Sequence, residues 1–100
     1  MLEELENWLN SKFKIIELEN LKVIVSAQLG EPNKAQSIEI NGNGLKARAT
    51  LWENGNLILK ATCLSTHQVV ILQELDSCEQ WQIDDKLNWW LSEIIIYEVM

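Results

Sequence analysis

Apolar residues change their spacing along the chain, and each change marks an element. Leu2, Leu5, Leu9, Phe13 and Ile16 recur at intervals of three and four, which places them on one face of an amphipathic helix. Glu3, Glu4 and Glu6 fall in its first turn, where carboxylates suit the positive end of the helix dipole. Trp8 lies beside the stripe and is expected in the core or at its edge. The helix should fade between Lys14 and Asn20, or Ile15 and Ile16 already begin the first strand.

From Leu21 the period becomes two. Leu21, Val23, Val25, Ala27 and Leu29 point one way, and Lys22, Ile24, Ser26 and Gln28 the other. Gly30-Glu31-Pro32-Asn33 breaks this strand, because proline fixes φ and removes a donor. Gln36–Asn41 reads as a second strand and Leu45–Glu53 as a third, joined by Asn41-Gly42-Asn43-Gly44, residues that tolerate the positive φ of tight hairpins. In the third, Leu45, Ala47, Ala49 and Leu51 face inward while Lys46, Arg48, Thr50 and Trp52 face outward. Asn54-Gly55 predicts a two-residue type I′ turn into a fourth strand. That strand has Leu57, Leu59, Ala61 and Cys63 inward and Ile58, Lys60, Thr62 and Leu64 outward.

Gln68–Leu75, with its Val69-Val70-Ile71-Leu72 run, predicts a fifth strand. Ser77 followed by Gln80 has capping-box spacing and starts a helix near Cys78. Ile83, Leu87, Trp90, Leu91 and Ile94 form its apolar stripe. The pattern as a whole is α+β: an antiparallel four- to five-stranded meander with an N-terminal and a C-terminal helix on one face. The small Ala47, Ala49 and Ala61 let helices approach that face closely, and the opposite face is left open.

At 100 residues the chain suits a single domain spanning residues 1–100. Apolar runs fall far short of the ~20 residues of a membrane span. Met1-Leu2-Glu3-Glu4-Leu5-Glu6 is acidic where a secretory signal would be basic and then apolar. These features predict a cytoplasmic protein with no membrane partner. Cys63 and Cys78 belong to no CxxC pair and read as small, partly buried thiols.

Little in the sequence suggests chemistry. His67, the single histidine, has Ser65 and Cys63 nearby but no motif around it, and is expected in a solvated loop. Cys63, His67 and Cys78 match no zinc spacing. Asp84 and Asp85 are consecutive on a helix, ~100° apart, and cannot share a proton across a cleft. The Asn-Gly turn lacks the lysine and hydroxyl of a phosphate loop. The expectation is a non-catalytic chain without metal or cofactor.

Charge and tryptophan content are more informative. The net charge is −7, and residues 61–100 hold seven acids against Lys86 alone. Residues 21–60 are instead mildly basic. An acidic chain repels nucleic acid and attracts basic partners. Of five tryptophans, Trp8, Trp81 and Trp90 are expected in the core, whereas Trp52 and Trp89 stand between edge packing and partner binding. The basic open face around Lys22, Lys46, Arg48, Lys60 and Trp52 invites comparison with sheet-based RNA-binding modules. One outward aromatic and the overall charge argue against that.

The stretch Pro32-Asn33-Lys34-Ala35-Gln36-Ser37-Ile38-Glu39-Ile40-Asn41-Gly42, continuing as Leu45-Lys46-Ala47-Arg48-Ala49-Thr50-Leu51-Trp52-Glu53, resembles small bacterial immunity proteins. More narrowly it resembles the TriTu immunity family, associated with contact-dependent growth-inhibition toxins, most clearly over residues 1–62. The resemblance implies an immunity-type domain that binds and neutralises the C-terminal domain of a cognate toxin, often a nuclease, as a 1:1 complex. It assigns no contact residues.

The residues themselves place the expected toxin interface on the acidic C-terminal part, at Glu74, Asp76, Glu79, Asp84, Asp85, Trp89 and Glu93. The alternative interface is the open sheet face at Lys46, Arg48, Trp52 and Lys60. A rival from another class is a non-catalytic ligand-binding or regulatory adaptor using that same face, with homodimerisation as one form it can take.

Overall fold

A computed structural model describes residues 3–26 and 34–97. Helix α1 (Glu3–Leu18) leads into strand β1 (Lys22–Val25), then β2 (Ala35–Gly42), β3 (Leu45–Trp52), β4 (Leu57–Cys63) and β5 (Val69–Leu75), and helix α2 (Gln80–Ile96) follows. The five strands form one antiparallel sheet in sequence order. Both helices cover the same face, α1 beside β1 and α2 across β3 and β4. The α+β meander expected from the periodicities is the architecture observed.

The alternation in β3 and β4 determines which face is covered. Leu45, Ala47, Ala49 and Leu51 pair in register with Cys63, Ala61, Leu59 and Leu57, and all eight are buried. Ala47 opposite Ala61 makes a shallow band where α2 crosses the sheet. Beside it Trp90, fully buried, donates from Nε1 to the Lys60 carbonyl at 3.3 Å. The entire predicted stripe of α2 is buried, as are Leu5, Trp8, Leu9 and Ile16 of α1. Ile15 and Ile16 belong to α1, which closes at Asn20 in the left-handed region, φ +60°.

Several local expectations need correction. Phe13 is 54% exposed, on a helix that packs beside β1, the edge strand of the sheet among the described residues. Trp81 is 68% exposed, since it stands two residues before Ile83 and hence ~200° around the helix from it. Of the expected first strand, Lys22–Val25 is observed as β1; Ala27, Leu29 and the Gly30–Asn33 break lie outside the described residues.

The turns also differ in detail. Asn43 and Gly44, φ +52° and +77°, form the two-residue loop between β2 and β3. The β3–β4 connection is longer than the expected type I′ turn. Gly55 donates to the Trp52 carbonyl and Trp52 to the Asn56 carbonyl, both at 2.9 Å, and only Gly55 has positive φ, +91°. This is the three-residue hairpin in which glycine takes the left-handed bulge position. The helix cap is displaced as well: Glu79 is the N-cap of α2, and its amide donates to Gln82 Oε1 at 2.8 Å. Ser77 instead occupies a left-handed turn position, φ +51°, with its amide held by Asn56 Oδ1.

Candidate functional site

Helical geometry builds the first candidate surface. Opposite the buried stripe of α2, Trp81, Asp85, Trp89 and Glu93 follow one another at four-residue intervals, which aligns them along one ridge. Trp81 is 68% and Trp89 36% exposed, Asp85 is exposed and Glu93 half-buried. Ile96, also exposed, extends the outward side by another turn. Two amphipathic indoles alternating with two carboxylates give a strip that can fill apolar pockets and pair with cations.

The other residues expected at this interface spread over the molecule. Asp84 turns toward α1 and lines a groove of about 380 Å³ with Glu4, Trp8, Lys12 and Asn88. Asp76 and Glu79 are exposed in the β5–α2 connection. Glu74 is exposed on β5 opposite Ile58, and so belongs to the uncovered sheet face. Of the seven, Asp85, Trp89 and Glu93 share the ridge. Trp81 completes it, and the sequence carries its signal: the angular offset from the Ile83–Ile94 stripe.

The uncovered face carries the alternative residues. Glu39 of β2 lies opposite Arg48 of β3, which lies opposite Lys60 of β4. Lys46 Nζ and an Arg48 guanidinium nitrogen are each 3.7 Å from Glu39 Oε1, and Asn41 Nδ2 donates to Oε2 at 3.2 Å. Although on the open face, Glu39 is only 9% exposed, roofed by the side chains it attracts. Trp52, half-buried, stands at the far end of β3. Strand alternation places the basic residues correctly on this face but gives Glu39 no role.

Nothing assembles into a catalytic constellation among the described residues. His67 is exposed at φ +60° in the β4–β5 turn. Both cysteines are buried and free. The Ser65 hydroxyl, 3.3 Å from Cys63 Sγ, together with the Thr66 hydroxyl and the Tyr97 phenol, draws the Cys63 thiol from 9.0 down to about 6. Burial, and then the Asp76 carboxylate, pushes Cys78 the other way. Among the described residues no group of three or more His, Cys, Asp or Glu side chains can hold a metal ion, and no helix is long and apolar enough to cross a membrane.

With this geometry in place, comparison with known families is decisive: the family model described as Immunity protein TriTu matches residues 3–93. The chain belongs to the TriTu immunity family. The match spans α1 through most of α2, so it extends well past residue 62, where the resemblance is clearest in sequence, and takes in the whole Trp81–Glu93 ridge. No individually curated protein matches the chain. Membership in an immunity family carries the general activity, neutralisation of a toxin.

Proposed function

We propose that this TriTu chain neutralises its toxin by forming a 1:1 complex with the toxin's C-terminal domain, that the toxin is a nuclease, and that the outward ridge of α2 makes the principal contact. The observation that carries this reading is the outward alternation of exposed Trp81, Asp85 and Trp89 with half-buried Glu93. Trp81 stands clear of the core at 68% exposure and Trp89 at 36%, and tryptophan is among the residue types enriched at binding hot spots.

Charge supports the nuclease assignment. A nuclease presents a cationic cleft to phosphates, and a partner of net charge −7 is attracted to such a cleft over a distance of about a Debye length. Electrostatic steering raises association rates toward ~10⁸–10⁹ M⁻¹s⁻¹, an advantage against a toxin lethal in few copies. In the cytoplasm of the producing cell the chain would meet the toxin before its nucleic-acid substrate does.

Co-expression with the toxin encoded beside it tests the function: protected growth is expected, and unprotected growth overturns it. Trp89→Ala combined with Asp85→Lys tests the ridge. Affinity should fall by at least tenfold with the fold intact, and unchanged affinity removes α2 from the interface.

A further inference from the structure

The uncovered sheet face has the wrong sign for the rest of the molecule. Lys46, Arg48 and Lys60 converge with Thr62 on a shallow depression of about 330 Å³ whose one carboxylate is Glu39. Three cations against one anion leave an excess of positive charge on a chain that is −7 overall. Glu74, the nearest acid on β5, stands opposite Ile58, one same-face step along β4 from Lys60.

The arrangement is poor as a device for stability. Arg48 and Lys60 are direct cross-strand partners, and like charges facing each other across a sheet are destabilising. Glu39 holds Lys46 and Arg48 at 3.7 Å, longer than the ~2.7–2.9 Å of a charge-assisted hydrogen bond, so the guanidinium fork is not saturated. Lys60 makes no ion pair among the described residues. A second carboxylate placed between Arg48 and Lys60 would relieve their repulsion and occupy the free donors.

From this charge complementarity we infer that the open sheet face is a second docking surface, and that its occupant is an acidic segment of the toxin whose carboxylates bridge Arg48 and Lys60. The inference deepens the toxin-neutralising reading and rests on it. Recognition is then bipartite, with an acidic, aromatic helix ridge and a basic sheet face on opposite layers of one small domain. A partner must match both signs to bind tightly. Such a requirement excludes other basic proteins that the acidic ridge alone would attract.

Two measurements test it. In titration calorimetry against the toxin domain, the neutral pair Arg48→Gln with Lys60→Gln, which adds no carboxylate opposite Glu39, should weaken binding at least tenfold while the thermal midpoint holds. Binding within twofold of the native chain overturns the inference, and leaves the toxin-neutralising function standing. The second measurement is independent of the toxin: amide NMR shifts at Lys46, Arg48, Lys60 and Thr62 on adding a glutamate-rich peptide, with inorganic phosphate at equal ionic strength as comparison. Shifts that saturate with the peptide and vanish in the double variant are expected. No shifts, or shifts larger with phosphate than with the peptide, overturn the acidic-segment occupant. Failure of the native chain to bind the toxin at all overturns the proposed function instead, and the inference with it whatever the peptide does.

Discussion

The Trp8 indole packs against that of Trp90 with ring centroids 6.2 Å apart and planes tilted by 48°, joining helices from the two ends of the chain. Each ring also has a polar anchor. Trp8 Nε1 donates to Asn88 Oδ1 at 2.9 Å, and Trp90 Nε1 to the Lys60 carbonyl of β4. The pair therefore ties α1, α2 and the sheet together, and separates the tryptophans that hold the fold from those that face solvent.

Trp90→Ala should cost about 3–5 kcal/mol, the range for deleting a fully buried large aromatic, and should lower the thermal midpoint accordingly. Trp81→Ala, at a 68% exposed position, should stay within about 0.5 kcal/mol of the native chain. Thermal melts followed by circular dichroism compare the two directly. Equal losses would show that Trp81 is packed against something the fold requires.

Gly55→Ala should destabilise the domain by about 1–3 kcal/mol. The position has φ +91°, and a Cβ there would come 3.0 Å from the Cys78 carbonyl oxygen and 3.1 Å from its nitrogen. That nitrogen donates to the Gly55 carbonyl at 2.9 Å, so the backbone has no room to retreat. Urea denaturation should show a lower midpoint with an unchanged slope.

Asn43 sits at the tip of the β2–β3 hairpin and donates from Nδ2 to the Ile94 and Tyr97 carbonyls at 2.8 and 2.7 Å. It thereby caps the C-terminus of α2, whose last carbonyls have no partner within the helix. Asn43→Gly keeps the left-handed turn and loses the cap, at a cost of about 1 kcal/mol. Asn43→Ala loses both and should cost more. Hydrogen exchange at the last turn of α2 should accelerate in both variants.

The Cys63 thiol titrates at about 6 in the folded chain against an ordinary 9.0. Between those values the unfolded chain binds more protons than the folded one, so stability from this group rises with pH. It is fully present above the unfolded value and is lost as pH falls through about 6. Unfolding midpoints of the native chain and Cys63→Ala, compared from pH 5 to 9, should therefore diverge with increasing pH. Parallel curves would show that the hydroxyls of Ser65 and Thr66 do not stabilise a thiolate.

Long regular patterns are legible in the sequence. The inward residues of β3 and β4 and the buried stripe of α2 follow from periods of 2 and 3.6, which depend only on local geometry. The candidate site is legible in part. Acidity and aromatic content single out Asp85, Trp89 and Glu93, but residue type alone assigns Trp81 to the core although its helical phase points outward. Glu74 illustrates the opposite limit. Its acidity groups it with α2, yet its register opposite Ile58 puts it on the other layer.

Taken alone, then, the sequence determined the element types, which face of each strand is apolar, and the acidic bias of the C-terminal part. Tertiary structure decided matters that depend on where another element ends. Phe13 is exposed on a helix beside β1, the edge strand among the described residues, and the Asn54-Gly55 hairpin is lengthened as its glycine packs beneath Cys78. The N-cap of α2 falls at Glu79 for a related reason: Asn56, from the preceding hairpin, holds the Ser77 amide. The two charged surfaces arise in the same way. Residues distant along the chain become neighbours through register, as with Glu39, Arg48 and Lys60, and no local period encodes which strand will lie beside which.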